Sequence, residues 1–364
     1  MSDADDGSHR VVVTGVGGGG FGEQILKALR LAETPYEIIG TDTTSLSKGF
    51  SSVDHAYVVP PAGDARYVDA LVAICSRHAV KAVFVGSEPE LRVLSARREE
   101  LEAIGAFLPI NPAEVIDTCL DKDRTMRFLD ANGFSVPRTL RIDDESQLET
   151  LETFPLVLKP YVGGGGSADV AIVQNRSELL AFSRYLLACG RKVIAQEYVG
   201  TPEAEFTVGV LTSMDGNLLN SIALKRFTLS ALGNRVKLPN RTGRPELGEL
   251  LVISSGISQG EIGAFPEITG PCEQIAGTLG ARGPMNIQCR YVDGRVIVFE
   301  INPRFSGTTS LRAMVGYNEP DCLFREHVLR ERVVRRFPYG SGVILRGLEE
   351  TLVATRNVPN AVDL

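Results

Sequence analysis

No Cys-x-x-Cys pair occurs in this 364-residue chain. Its six cysteines (75, 119, 189, 272, 289 and 322) are scattered and there are only four histidines. The usual ligand spacings of a structural zinc site are therefore missing, and scattered thiols read as reduced, which fits the cytoplasm. No apolar run approaches the roughly 20 residues of a membrane-spanning helix. Net charge is −7 with no basic block, which argues against the electrostatic footprint of a nucleic-acid binder. The opening MSDADDGSHR has neither the basic nor the apolar region of a signal peptide and reads as a frayed tail. A P-loop is also missing: no GxxxxGK is followed by Ser or Thr.

What is present first is regular alternation. Over the first ~115 residues, β-type runs (RVVVTG, YEIIGTD, KAVFVGS, FLPIN) alternate with amphipathic stretches (EQILKALRLA, ARYVDALVAICSRH, ELRVLSARREELEAIG). Short strand–helix–strand connections predict a doubly wound parallel sheet over 10–114. Asn111-Pro112 opens a different region. PAEVIDTCLDKDRTMRFLDANG reads as one helix stopped at Gly133, and strands are expected at VPRTLRID, LETFPLVLKP, ADVAIVQ and KVIAQEYV, with a helix at SELLAFSRYLLACG. Further on, two strands turn at Asp215-Gly216, residues 228–260 read as a mobile loop region, ITGPCEQIAGTLG as a helix, and 284–304 as a hairpin turning at Asp293-Gly294. The division expected is 10–114, 115–199 and 200–364.

Glycine is concentrated in two runs. Gly17 to Gly20 lie between a strand and a helix, where Gly15-x-Gly17-x-x-Gly20 meets the dinucleotide pattern and Asp42 stands near the ribose position. In so glycine-dense a stretch the match arises easily by chance, and a cradle for an anionic substrate or a plain tight turn reads equally well. Gly163 to Gly166, followed by Ser167, join two strands with no helix after them. Such a hairpin tip can close over a polyanion and offer backbone N–H groups to it. Lys159 and Lys122 flank this run. Each alone reads as a solvated surface residue, and together they can clamp phosphate oxygens.

Around Glu197, Tyr198 and Val199 a strand breaks into a turn before Glu205, an arrangement able to meet an adenine edge and ribose hydroxyls. In PMNIQCRYVDGRVIVFEINPRFSG, Gln288 and Glu300 oppose each other across the hairpin, and Asn302 shares the strand face of Glu300. This oxygen-only set suits Mg2+, with Mn2+ as a substitute. Arg304 continues that face and can hold a carboxylate or a transferring phosphoryl group. Ile297, Phe299 and Ile301 alternate with the polar set and are expected on the opposite side.

These residues resemble the ATP-grasp superfamily, and most of all its single-unit, carbamoyl-phosphate-synthase-like ligases. The resemblance runs over about residues 10–345 and is most specific at FEINPRFSG with the upstream MNIQ. It implies an α/β pre-ATP-grasp domain followed by two α+β subdomains that grip ATP. It also implies catalytic roles for Arg304 and Lys159. ATP contacts would come from Lys122, Lys159, Gly163, Gly164, Gly165, Gly166, Ser167, Glu197, Tyr198, Val199 and Glu205, and metal ligation from Gln288, Glu300 and Asn302. Lys225, Arg226, Arg235 and Glu88 are candidate substrate contacts, although Glu88 and Glu90 read equally well as surface acids. The activity implied is ligation of a small-molecule carboxylate to an amine through an acyl phosphate, by a homodimer that touches neither nucleic acid nor membrane. Two other readings stand beside it: an NAD(P)-dependent oxidoreductase built on the first glycine run, and a non-catalytic nucleotide-binding protein.

Overall fold

The computed structural model describes residues 7–17, 20–163 and 169–352. The chain begins with β1 (His9–Val13), α1 (Phe21–Arg30), β2 (Tyr36–Asp42), β3 (His55–Val58), α2 (Tyr67–His78), β4 (Ala82–Phe84), α3 (Glu88–Ala96) and α4 (Arg98–Ala103). The four strands form a parallel sheet in the order β3-β2-β1-β4, as the alternation predicts. Two details differ from expectation. FLPIN adds only a single parallel bridge, Ala82 to Phe107, and Pro109 then removes a ladder donor. The fourth strand is instead His55–Val58, on the opposite edge. The expected third helix is broken at Arg97 into α3 and α4.

Residues 113–131 form two helices, α5 (Ala113–Cys119) and α6 (Lys122–Ala131). The break comes from Asp121, an N-cap whose carboxylate accepts from Arg124 N–H at 2.9 Å. An antiparallel sheet in the order β5-β8-β6-β7 follows, built from β5 (Thr139–Ile142), β6 (Leu156–Pro160), β7 (Ala171–Val173) and β8 (Val193–Glu197), with α7 (Arg176–Ala188) packed on it.

The largest sheet has six strands. Its components are β9 (Glu205–Thr212), β10 (Leu218–Arg226), then β13 (Gly260–Gly263), β14 (Pro284–Val292), β15 (Arg295–Asn302) and β16 (Gly342–Ile344), in the order β15-β14-β9-β10-β13-β16. The expected mobile region at 228–260 is ordered here: β11 (Asn234–Pro239) and β12 (Leu250–Ser254) pair antiparallel. Leu247 and Leu251 bury against Tyr198 and Ile172, which holds this hairpin to the β5–β8 sheet. Three helices complete the fold: α8 (Pro266–Leu279), α9 (Thr309–Met314) and α10 (Glu319–His327).

One apolar core covers one face of the six-stranded sheet with α8, α5 and α6. A second joins the other face, through Leu211, Ile222, Tyr317 and Phe324, to Val11, Ile25 and Phe84 of the N-terminal sheet and its α1. The first ~110 residues are thus packed onto the six-stranded sheet. Asn111, fully buried, reinforces this junction: its amide donates to the carbonyls of Pro284 (2.8 Å) and Pro303 (3.1 Å) and accepts from Arg282 N–H (2.8 Å).

Candidate active site

A deep cleft runs between the β5–β8 sheet and the six-stranded sheet. It brings together Lys122, Lys159, Gly163, Glu197, Tyr198, Val199, Glu205, Arg226, Gln288, Glu300, Asn302, Arg304 and Glu88. Gly164, Gly165, Gly166 and Ser167 lie outside the described residues; β6 and β7, which they connect, pair antiparallel as expected of a hairpin.

Gln288 and Glu300 are direct cross-strand partners, and Asn286 opposes Asn302. The ladder shifts register between Gln288 and Cys289, and this bulge corrects the expected alternation on β15. Val296, Val298 and Ile301 enter the core, whereas Phe299, the extra residue, lines the cleft with Glu300. The bulge also turns the Phe299 carbonyl away from the ladder, where it accepts from Lys159 Nζ at 3.2 Å. Lys159 thus joins the two sheets that form the cleft. Burial pushes its ammonium down to about 8; Lys122 adds to the drop and Glu300 opposes it. Burial alone would raise Glu300, but Lys122, Lys159 and Arg304 outweigh it and hold the carboxylate below its ordinary range. Lys122 is fixed as the first residue of α6, its backbone N–H donating to the Tyr161 carbonyl at 2.8 Å.

The Gln288–Glu300–Asn302 oxygens meet the chemistry of a hard cation: they are side-chain oxygens on one sheet face, one of them a carboxylate kept ionised by its surroundings. Asn302 Nδ2 lies 3.4 Å from Glu300 Oε1, and Asn302 Oδ1 accepts from Arg304 Nη2 at 3.0 Å. The same Arg304 nitrogen pairs with Glu88 at 2.7 Å, while the guanidinium lies 4.2 Å over the Phe21 ring. Among the described residues, the buried Arg304 Nε has no hydrogen-bond partner. Arg304 and Glu88, distant in sequence, therefore meet where the N-terminal sheet abuts the cleft.

Several expectations are corrected by the packing. Glu205 is 2 % exposed and lies between two buried arginines. Arg226 Nη1 reaches Glu205 Oε1 at 3.1 Å, and Arg290 Nη2 reaches Oε2 at 3.1 Å. Both carboxylate oxygens are thereby engaged by arginines, while Glu205 still lines the cleft. Arg290, absent from the sequence-level set, also donates to the carbonyls of Val199 (3.0 Å) and Gly200 (3.1 Å) and lies 4.4 Å over Tyr198. The Val199 carbonyl is consequently engaged by protein. Arg226 does line the cleft, but Lys225 and Arg235 do not. Lys225 is the next residue on the same strand and so faces the other way, and Arg235 is exposed on β11. Glu90 is no surface acid: it is 6 % exposed and accepts from Thr14 (2.8 Å), Tyr67 (2.9 Å) and Ser87 (2.6 Å). Asp42 is turned back onto the first glycine run, accepting from Gly17 N–H at 2.6 Å and Thr43 N–H at 2.7 Å. It acts there as a staple for the turn, and a Cβ at Gly17 would meet it at 2.6 Å.

A family model described as ATP-grasp in the biosynthetic pathway with Ter operon matches residues 254–346, the stretch that carries Gln288, Glu300, Asn302 and Arg304. That stretch of the chain is similar in sequence to the ATP-grasp family. Residues 15–108 match a second model, the PylC-like N-terminal domain. A carbamoyl phosphate synthase large chain from Thermoplasma acidophilum is 23% identical over 332 residues, covering 86% of this chain and 30% of that one. The chain thus spans less than a third of that relative's length. Among solved structures, an L-amino acid ligase from Bacillus licheniformis superposes with TM-score 0.60 at 19% identity, over 88% of this chain and 74% of that one. An ADP complex of N5-carboxyaminoimidazole ribonucleotide synthetase superposes with TM-score 0.62 at 17% identity, over 92% and 78%. Among the described residues, no helix is long and apolar enough to cross a membrane.

Proposed function

We propose that this protein is an ATP- and Mg2+-dependent ligase that activates a small-molecule carboxylate as an acyl phosphate and passes it to an amine. In this reading residues 10–114 form the substrate-side domain, and 115–199 and 200–364 grip the nucleotide between them. The observation that carries the reading is the single cleft in which Gln288, Glu300 and Asn302 face Lys122, Lys159 and Arg304.

The terminal phosphoryl group of ATP passes to a carboxylate oxygen and ADP leaves. The amine nitrogen then attacks the acyl carbon, and inorganic phosphate departs with the bonding electrons. No protein nucleophile is needed, because positioning and charge neutralisation supply most of the catalysis in phosphoryl transfer. Lys159 and Lys122 carry positive charge towards the phosphates. Arg304 orients the incoming carboxylate, sharing its guanidinium with Glu88. Gln288, Glu300 and Asn302 would hold Mg2+, which supplies neutralisation of phosphate charge. Closure of the second glycine run over the phosphates would exclude water from the acyl phosphate. Similarity to a carbamoyl phosphate synthase large chain and to an L-amino acid ligase supports this class of chemistry.

Calorimetric titration with Mg·ATP, followed by an ADP-release screen over carboxylate and amine pairs, tests the reading. Mg·ATP should bind, and Glu300→Gln should reduce ADP formation by at least about 100-fold, the scale on which a key transition-state contact acts. Binding of NADH or NADPH with no binding of Mg·ATP would overturn it.

A further inference from the structure

We infer that Glu37, His55 and His78 form a binding site for a transition-metal dication of the zinc class, apart from the nucleotide cleft. Each of the three offers one ligand atom, and the three atoms lie within 4.8 Å of one another. Glu37 comes from β2, His55 opens β3 and His78 is the last residue of α2. Glu37 and His55 are 18 residues apart and His78 lies further on, so no short ligand motif marks the site in the sequence. None of the three lines the cleft.

The sheet brings them together. In the parallel pairing of β2 with β3, Ile39 stands beside His55. Glu37 lies two residues before Ile39, and Tyr57 two after His55, so all four side chains share one face. Ile39 and Tyr57 pack there against Leu71, Ile74 and Cys75 of α2. Glu37 and His55 continue that face past the end of the helix, where His78 meets them. This is the end of the sheet at which the strands begin; Glu88, the partner of Arg304, follows the far end of β4.

The side chains are already gathered. His55 Nε2 lies 2.8 Å from Glu37 Oε1, and the two imidazole rings are 4.7 Å apart between centroids. Tetrahedral ligands with bonds of 2.0–2.2 Å stand about 3.4 Å from one another, so capture of an ion needs side-chain shifts of roughly 1 Å. Packing does not resist such shifts, because the His55 side chain is 42% exposed and that of Glu37 25%. Outer partners hold the rest: Tyr57 Oη bonds His78 Nε2 at 2.8 Å, and Arg10 Nε pairs with Glu37 Oε2 at 2.9 Å. Contacts of this kind orient metal ligands. Two imidazole nitrogens with a single carboxylate, its charge shared with Arg10, suit Zn2+, Ni2+ or Cu2+ and not Mg2+. The site therefore takes a different ion from the oxygen set of the cleft, and a bound ion would tie β2, β3 and the end of α2 together.

The test titrates Co2+, a visible probe for zinc sites, into the wild type, His55→Ala and Glu37→Gln, with excess Mg2+ present to occupy hard-oxygen sites. Circular dichroism checks folding, and thermal melts with and without Zn2+ follow the same three proteins. One equivalent of Co2+ should bind the wild type without the near-ultraviolet thiolate band that the exposed Cys189 would give. Each substitution should weaken binding at least about tenfold, since even loss of an outer partner costs 10–100-fold. Zn2+ should raise the melting temperature of the wild type and not that of His55→Ala. No binding, a thiolate band, or equal affinity in all three proteins overturns the inference. So does a loss confined to His55→Ala, which would mean adventitious capture by imidazole alone. Should Glu37→Gln not fold, Glu37→Ala takes its place. The ligase reading stands or falls separately, on Mg·ATP binding.

Discussion

At the scale of single residues, charges carry both fold and site, and each role makes a different prediction. Glu205 offsets two buried guanidinium groups. Removing one member of a buried charge cluster leaves the rest unpaired, so Glu205→Gln should destabilise the protein by about 3–5 kcal/mol. Urea unfolding measures this; unchanged stability with weakened nucleotide binding would point to the ribose role instead. His327, stacked on Phe107 at 4.1 Å, titrates below its ordinary value because of burial, with Arg330 adding to the effect. The folded state therefore binds fewer protons than the unfolded state in the window just below pH 6.5. Stability from this group is full above that window and falls as pH drops through it. His327→Gln should flatten the stability profile between about pH 7 and 5.5, which thermal melts across that range would resolve.

At the scale of elements, short interruptions of regular structure place the chemistry. The Asp121 N-cap divides α5 from α6 and makes Lys122 the first residue of a helix. Asp121→Ala should cost about 1 kcal/mol and also weaken Mg·ATP binding, because Lys122 loses its fixed backbone; calorimetry and denaturant titration on the one variant separate the two effects. The bulge on β15 plays a similar part. It releases the Phe299 carbonyl to Lys159 and puts Glu300 on the cleft face beside Asn302. The β11–β12 hairpin, anchored by Leu251, brings Ser254 and Ser255 to Arg226, whose Nη1 reaches Ser254 Oγ at 2.8 Å and whose Nη2 reaches the Ser255 carbonyl at 2.5 Å.

At the scale of the whole molecule, the N-terminal sheet and the six-stranded sheet share one apolar core through α1, α9 and α10. Separation would expose Leu211, Ile222, Tyr317 and Phe324 together, a contiguous apolar surface of the kind that drives aggregation. A chain lacking residues 1–114 should therefore be recovered mainly in aggregated form, as size-exclusion chromatography would reveal. Recovery of a monodisperse, folded fragment would mean that the two units are stable apart.

The strand–helix alternation of the first ~115 residues and the 284–304 hairpin were legible without coordinates, because period and turn chemistry are local properties. So was the meeting of Gln288 with Glu300, since a hairpin turning at Asp293-Gly294 allows few registers. The β11–β12 pairing was obscured by polar and Gly/Pro positions, although Leu251 and Val252 of LLVIS, both buried, were a usable signal. Beyond local reach lay the partners of buried charge. Nothing in the spacing from Glu205 to Arg226 and Arg290, from Glu88 to Arg304, or from Asn286 to Arg312 and Glu319 foretells contact. Those pairings follow from which strands become neighbours and which faces are buried, where an unpaired charge is too costly to keep. The sequence by itself determined the kinds of element and the residue types of the site; only the tertiary structure decided which of those groups are free to meet a ligand and which are spent on holding one another.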